Sequence, residues 1–308
     1  MFPSHDPAQQ VFNWHCHSNN IPERYFAGAA VDMQEHVYRI RKLYNMPIGR
    51  TIPYDESDFR AAYLLAYFPY YIEPICHVLE AANLPESLFS TGTLKTAFFG
   101  GGPCPEALGL AAYLRRRAPH LANVEATIFD RQPGWNTIQQ ELVPSMLDSY
   151  RSVNTNFALN SRQCDVVECL ARQCTCGVAD KDIIIGQNFL AEVYQARTKA
   201  IKTFERLIQR SSCRYLVFVE NQYTEVKGMM NHLSSYLHAK GLTINRPAAK
   251  TTTIRPNFRL PQVMRQHLFV GSDGLTQRRS LQANQTIAAR LLGMTQSGLN
   301  KRLKSVRK

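Results

Sequence analysis

Two hydrophobic periods alternate through the middle of the chain. Short runs that are apolar at nearly every position occur at 96–99 (Thr-Ala-Phe-Phe), 124–130 (Val-Glu-Ala-Thr-Ile-Phe-Asp), 182–186 (Asp-Ile-Ile-Ile-Gly) and 214–220 (Arg-Tyr-Leu-Val-Phe-Val-Glu). Runs of this length, rich in β-branched and aromatic residues, predict strands buried on both faces, as in a parallel sheet. A further strand is predicted near 156–159, and two more near 251–254 and 267–270, making seven. Between them the period becomes helical, from Pro105 to about Arg115, from beyond Trp135 to about Tyr150, and on to about Gln209. Alternating strands and helices predict an α/β core over 89–275, with helices on both faces of a mostly parallel sheet. Ahead of it, 1–88 reads as a helical extension. Residues 1–30 are polar and irregular, and helices are expected over 32–44 and about 57–82. Pro69 and Pro74 must kink or break the second of these. Its tyrosines, among them Tyr63, Tyr67 and Tyr71, either pack against the sheet or form an aromatic lid or stacking platform over a ligand.

The chemistry sits in the links between elements. The strand at 96–99 runs into Gly100-Gly101-Gly102, which permit positive φ and close approach of the backbone to a ligand. Pro103 and Pro105 stiffen the turn. Pro105 suits the first position of a helix, and Glu106 its positive first turn. The next strand ends on Asp130. Strand, glycine turn, helix, strand and acid compose a nucleotide-binding half-fold, with the acid placed to hold two ribose hydroxyls. A dinucleotide fingerprint is not met, because the third glycine position of Gly-x-Gly-x-x-Gly falls on Pro105. A phosphate loop ending in Gly-Lys-Ser/Thr is not met either, since the turn contains no lysine.

The turn at 96–106 resembles motif I of the class I, Rossmann-like, S-adenosylmethionine (SAM) methyltransferases. It departs from that pattern at two positions, Phe98 replacing an acid and Cys104 a glycine. The resemblance spans roughly residues 90–272 and implies SAM as cofactor. It also implies site residues: Gly100, Gly101, Gly102, Cys104 and Glu106 along the cofactor backbone, Asp130 and Arg131 at the ribose, and Asp165 and Val166 at the adenine. Gln187, just past the fourth strand, would meet the methyl group, and Gln187 and Asn188 would orient the acceptor. Glu192, or less directly Glu220, would act as general base. The Asn/Asp-Pro-Pro-Tyr tetrapeptide typical of methylation at a base's exocyclic amine is absent.

Charge adds a partner to this picture. Residues 241–308 hold 13 Lys and Arg against one acid, Asp273, so the whole +12 of the chain resides there. A basic segment on a neutral body is the footprint of a polyanionic partner, usually nucleic acid. Within it, 286–304 (Thr-Ile-Ala-Ala-Arg-Leu-Leu-Gly-Met-Thr-Gln-Ser-Gly-Leu-Asn-Lys-Arg-Leu-Lys) has the wording of a helix-turn-helix. Ala289 falls at the crossing, Gly293 at the turn and Leu299 toward the core. Arg290, Asn300, Lys301, Arg302 and Lys304 would meet the nucleic acid. Such a pair lacks a third helix, so 276–308 must pack on the core or pair with a second copy as a homodimer.

Other classes are narrowed by what is missing. No run approaches 18 apolar residues, so no membrane-spanning helix is expected. The first residues lack a secretory pattern, which predicts a cytoplasmic protein with eight reduced cysteines. Trp14-His-Cys-His17 cannot close a tetrahedral shell alone, and the spacing of Cys164, Cys169, Cys174 and Cys176 fits no standard metal site, so no metal is expected. Three readings follow: a nucleic-acid methyltransferase, RNA ahead of DNA; a small-molecule methyltransferase; or a non-catalytic DNA-binding regulator with a ligand-sensing domain.

Overall fold

The computed structural model describes residues 7–44, 52–171, 177–178, 180–211, 213–221, 224–239 and 287–291. Four helices come first: α1 (Pro7–Ser18), α2 (Phe26–Tyr44), α3 (Ser57–Ala66) and α4 (Phe68–Ala82). The expectation of irregular structure before residue 30 is corrected by α1 and by the early start of α2. Val11, Phe12 and Cys16 of α1 are fully buried. So narrow an apolar face is hard to read among His, Asn and Gln, and its helix depends on packing rather than propensity. The proline-rich helix divides as expected. Tyr67 breaks it at φ −129° and ψ −39°, Pro69 sits in the first turn of α4, and Pro74 lies inside α4.

The core then alternates: β1 (Thr93–Phe99), α5 (Pro105–Arg117), β2 (Asn123–Asp130), α6 (Val143–Tyr150), β3 (Asn156–Gln163), α7 (Val166–Ala171), β4 (Ile183–Gln187), α8 (Phe189–Glu192), α9 (Arg197–Arg210), β5 (Tyr215–Asn221) and α10 (Thr224–Ala239). The spatial order is β3-β2-β1-β4-β5, all parallel. A last strand, β6 (Ile287–Leu291), runs antiparallel beside β5, with Arg290 opposite Phe218. Seven strands were expected; among the described residues the sheet has five parallel strands and this antiparallel one. The expected strands at 251–254 and 267–270 lie outside the described residues. The helix expected from Thr286 is corrected as well. The same Ile-Ala-Ala-Arg-Leu run alternates equally well as a strand, and the open edge of β5 supplies its hydrogen bonds. Asn300, Lys301, Arg302 and Lys304 lie outside the described residues.

Alternation along the strands divides the core in two. Phe98, Val124, Ala126, Ile128, Ile183, Ile185, Val217 and Val219 face one layer, shared with α1 to α6. Ala97, Phe99, Phe129, Ile184 and Phe218 face the other, shared with α7 to α10. The crossover helices α5 and α6 serve β1, β2 and β3 on the first face. Its remaining half, beneath β4 and β5, is covered by α4, which lies along α5 and reaches β5. The first 88 residues thus complete a layer of the sheet. Gly109 permits the α4–α5 contact, since a Cβ there would lie 2.4 Å from the Ile72 carbonyl oxygen and 2.9 Å from Ile75 Cβ. No helix among the described residues is long and apolar enough to cross a membrane. Reduced thiols hold at Cys16, Cys76, Cys104, Cys164 and Cys213, but Cys169 is disulfide-bonded, to a partner outside the described residues. That corrects the expectation of eight reduced cysteines.

Candidate functional site

The chain's direction across the sheet reverses between β1 and β4. From β1 it moves outward to β2 and β3, then returns to β4 and β5 on the other side. The loops leaving β1 and β4 therefore diverge and open a crevice at the carboxyl ends of the strands. A cleft of about 790 Å³, counting the part open to solvent, lies there.

The glycine turn forms its floor. Gly100 and Gly102 have φ of +58° and +48°. A Cβ on Gly100 would lie 2.6 Å from the Phe189 ring, and one on Gly101 2.7 Å from Ile128 Cγ2. Asp130 holds the turn from β2. Gly102 N–H donates to its Oδ2 at 2.7 Å and Gln132 N–H to its Oδ1 at 2.8 Å. On the other side the Gln139 side chain donates to the Gly102 carbonyl at 2.5 Å. Burial raises the Asp130 pKa above the usual carboxylate range, and the two backbone N–H groups pull it back down. Each Asp130 oxygen still has a lone pair for a ligand.

Gly100, Gly101, Gly102, Glu106, Asp130, Arg131, Asp165, Val166, Gln187, Asn188 and Glu192, all singled out from the sequence, line this one cleft. Asp165 also accepts the Glu168 backbone N–H at 3.0 Å and so starts α7. Gln187 is 6% exposed, and neither end of its amide has a hydrogen-bond partner among the described residues. Glu106, 2% exposed, likewise leaves Oε2 without one. Burial raises the Glu106 pKa well above normal, and Asp130 and Glu192 push it the same way. Buried polar atoms left unmatched beside a cleft can pair with water or with a ligand.

Two expectations need correction. Cys104 was placed along the cofactor, but its left-handed backbone (φ +58°) turns the fully buried side chain into the core beneath the turn. Glu220 was an alternative base. Its Oε1 accepts the Leu190 N–H at 2.7 Å and its Oε2 the Ala191 N–H at 3.4 Å, so it fastens α8 to β5 from below the cleft. Burial raises its pKa to about 8 against those N–H groups.

One wall of the cleft, which meets the turn at Gly102, is aromatic. Tyr54, Tyr63, Tyr71 and Trp135 line it. Tyr54 and Tyr63 each pack on Trp135, with centroids 5.5 and 5.7 Å away, and meet each other edge to face at 5.7 Å. Tyr67, behind them, stacks on Tyr71. Of the two alternatives left open for these tyrosines, packing is seen for Tyr67 and for Tyr71, which is 1% exposed, while Tyr63 is half-buried at the edge of the cleft. Tyr54 and Gln139 were not singled out from the sequence. The first lies in an aperiodic loop and the second in a π-helical stretch, Ile138–Leu142, where no pattern marks a polar residue as buried. No group of three or more His, Cys, Asp or Glu side chains among the described residues is arranged to hold a metal.

No family model and no curated protein matches the chain. Solved structures do. An O-methyltransferase family protein from Burkholderia thailandensis is 14% identical over 71% of this chain and 68% of its own, with a TM-score of 0.39. The magnesium protoporphyrin IX methyltransferase of Synechocystis, with S-adenosylhomocysteine bound, is 13% identical over 82% and 85%, at 0.33. The plantazolicin methyltransferase BpumL, bound to S-adenosylhomocysteine and a desmethyl substrate analogue, is 12% identical over 85% and 96%, at 0.38. At these identities and scores the likeness describes a resemblance of fold, and the functional reading rests on the cleft itself.

Proposed function

We propose that the cleft binds S-adenosylmethionine and that the chain is a SAM-dependent methyltransferase. The observation that carries this reading is Asp130, a carboxylate at the end of β2, tied to the glycine turn at the β1/β4 reversal. That is the place where an acid holds the ribose of an adenosine cofactor. The acids around the turn favour SAM over a dinucleotide. Asp130 would repel a pyrophosphate, and Glu106, whose charged form burial disfavours, would regain that charge beside the ammonium group of a methionine moiety. Asp165 and Val166 would border the adenine, and Arg131 the ribose. Gln187 would turn its amide toward the ligand, and Asn188 and Glu192 would face the acceptor. Bound SAM supplies an electrophilic methyl on a sulfonium; the chain supplies position, desolvation and a base. Titration calorimetry with S-adenosylhomocysteine tests the reading. Micromolar binding is expected, weakened at least tenfold in Asp130→Ala and also weakened in Asp130→Asn, which keeps one acceptor for Gly102 N–H but offers Gln132 N–H and the ribose an amide NH2. Absence of binding at millimolar ligand would sink it.

A second reading concerns residues 241–308, where the charge of the chain is concentrated. Thirteen basic residues against one acid favour contact with a polyanion, RNA ahead of DNA. If so, affinity for a 20-nucleotide RNA should fall steeply with salt, with a log–log slope of several units. A slope near zero would reduce the segment to a solubilising role.

A further inference from the structure

The glycine turn has no hydrogen-bond donor to spare. Gly100 and Gly101 both donate N–H to the Phe129 carbonyl, at 2.9 and 3.4 Å, and Cys104 donates to the Gly101 carbonyl at 2.6 Å. Gly102 N–H is held by Asp130. Pro103 and Pro105 carry no N–H. Every N–H from residue 100 to residue 105 is therefore engaged within the fold. A phosphate seated on such a turn is held by free N–H groups. A ligand resting here has to find its polar partners among side chains.

Two such side chains flank the turn on the same face of the sheet. Phe99 pairs with Gly186 across β1 and β4, so Gln187 stands level with Gly100 on the neighbouring strand. Along β4, Ile183 and Ile185 face the layer that contains α5, and Ile184 faces the other. Alternation sends Gln187 to the side of Ile185, and so toward α5. Glu106 reaches the cleft from the first turn of that helix. Both residues are more than nine-tenths buried. Among the described residues, Glu106 Oε2 and both ends of the Gln187 amide have no hydrogen-bond partner. Whichever way the amide is turned, it presents one donor and one acceptor. With Glu106 ionised, the unmatched set is two acceptors and one donor. A phosphate could engage only the donor and would leave both acceptors unmatched. An α-amino acid, with an ammonium beside a carboxylate, matches all three.

We infer that Glu106 and Gln187 form a clamp for the α-amino-acid end of the ligand. The Glu106 carboxylate and the Gln187 amide oxygen accept from its ammonium, and the Gln187 amide nitrogen donates to its carboxylate. This rests on the SAM reading above. Glu106 is a neutral acid in the empty cleft, since burial raises its pKa well above normal and Asp130 and Glu192 push it the same way. Cys104 and Tyr63 are the other titratable groups that its charge reaches. Of the nearby cations, Arg131 lines the cleft, and Arg60 lies beside Gly134, donating to the Tyr54 and Asp55 carbonyls. An arriving ammonium favours the ionised carboxylate, so the carboxyl proton leaves to solvent as the ligand binds.

The test is calorimetry on the full-length protein with four adenosine ligands. They are S-adenosylhomocysteine, its decarboxylated form S-adenosyl-3-thiopropylamine, 5′-methylthioadenosine, which lacks the amino acid, and adenosine 5′-monophosphate. S-adenosylhomocysteine should bind about tenfold or more tighter than methylthioadenosine, and the monophosphate weakest of all. At pH 7 its binding should release up to about one proton, read from the dependence of the heat on the buffer's ionisation enthalpy, and methylthioadenosine should release none. Glu106→Gln should abolish that release and weaken S-adenosylhomocysteine about tenfold or more, with methylthioadenosine within about twofold of the parent. Gln187→Glu keeps an acceptor and loses the donor. It should weaken S-adenosylhomocysteine about tenfold or more and leave the decarboxylated ligand within about threefold. Equal affinity for S-adenosylhomocysteine and methylthioadenosine, a monophosphate that binds tighter than methylthioadenosine, or variants that weaken methylthioadenosine as much as S-adenosylhomocysteine would overturn the inference. Failure of all four ligands to bind would instead overturn the cofactor reading, so the two failures are distinguishable.

Discussion

At the level of single residues the cleft is governed by carboxylates kept out of water. Glu220 is the clearest, its pKa raised to about 8 by burial. A carboxyl whose folded pKa lies above its unfolded value stabilises the fold fully below about 4.5. That contribution is lost as pH rises through the folded value near 8. Glu220→Gln keeps an acceptor for Leu190 N–H and cannot ionise. Its melting temperature should therefore fall less than the parent's between pH 5 and 8, the difference amounting to a few kcal/mol at most. Parallel profiles would show that Glu220 stays ionised in the fold. Gly100 is constrained twice, by φ of +58° and by Phe189 at 2.6 Å from any Cβ. Gly100→Ala should cost about 1–2 kcal/mol in backbone strain and weaken S-adenosylhomocysteine at least tenfold, both measurable on the purified variant.

Between elements, the tightest constraint is where α4 crosses α5. Alanine normally gains about 1 kcal/mol over glycine inside a helix. At Gly109 the added methyl meets the Ile72 carbonyl at 2.4 Å, so overpacking outweighs propensity. Gly109→Ala should destabilise by about 1–3 kcal/mol in chemical denaturation; a gain in stability would show that the helices separate freely. The same scale explains what could be read in advance. The apolar runs of β1, β2, β4 and β5 are buried on both faces, so composition alone marks them. Each link that carries chemistry follows such a strand, which is why Gly100, Asp130 and Gln187 were legible. Helix α10 was not singled out at all. Its buried Val226, Met229, Met230, Leu233 and Leu237 are interleaved with His, Ser and Asn, a weak stripe that gains meaning only against the sheet. Cys104 and β6 misled for a related reason, since backbone handedness and an open strand edge are tertiary facts with no local signature.

For the molecule as a whole, the N-terminal helices are half of a layer. A chain beginning at residue 89 would leave Ile183, Ile185, Val217 and Val219 without α4 above them. It should elute as aggregate on size exclusion and lose its near-ultraviolet dichroism, while retaining much of its helix content. A monomeric, cooperatively melting product would show that the sheet holds its own core.

The position of α4 also orders events in time. On the ribosome α1 to α4 emerge first, and the β4 and β5 strands that α4 covers follow about 100–140 residues later. At roughly 5–20 residues per second, that leaves the apolar face of α4 waiting on the order of ten seconds for the strands it covers. Nascent chains at that stage are the ones a holding chaperone should capture, and slowing elongation between residues 90 and 220 should lower the yield of folded protein.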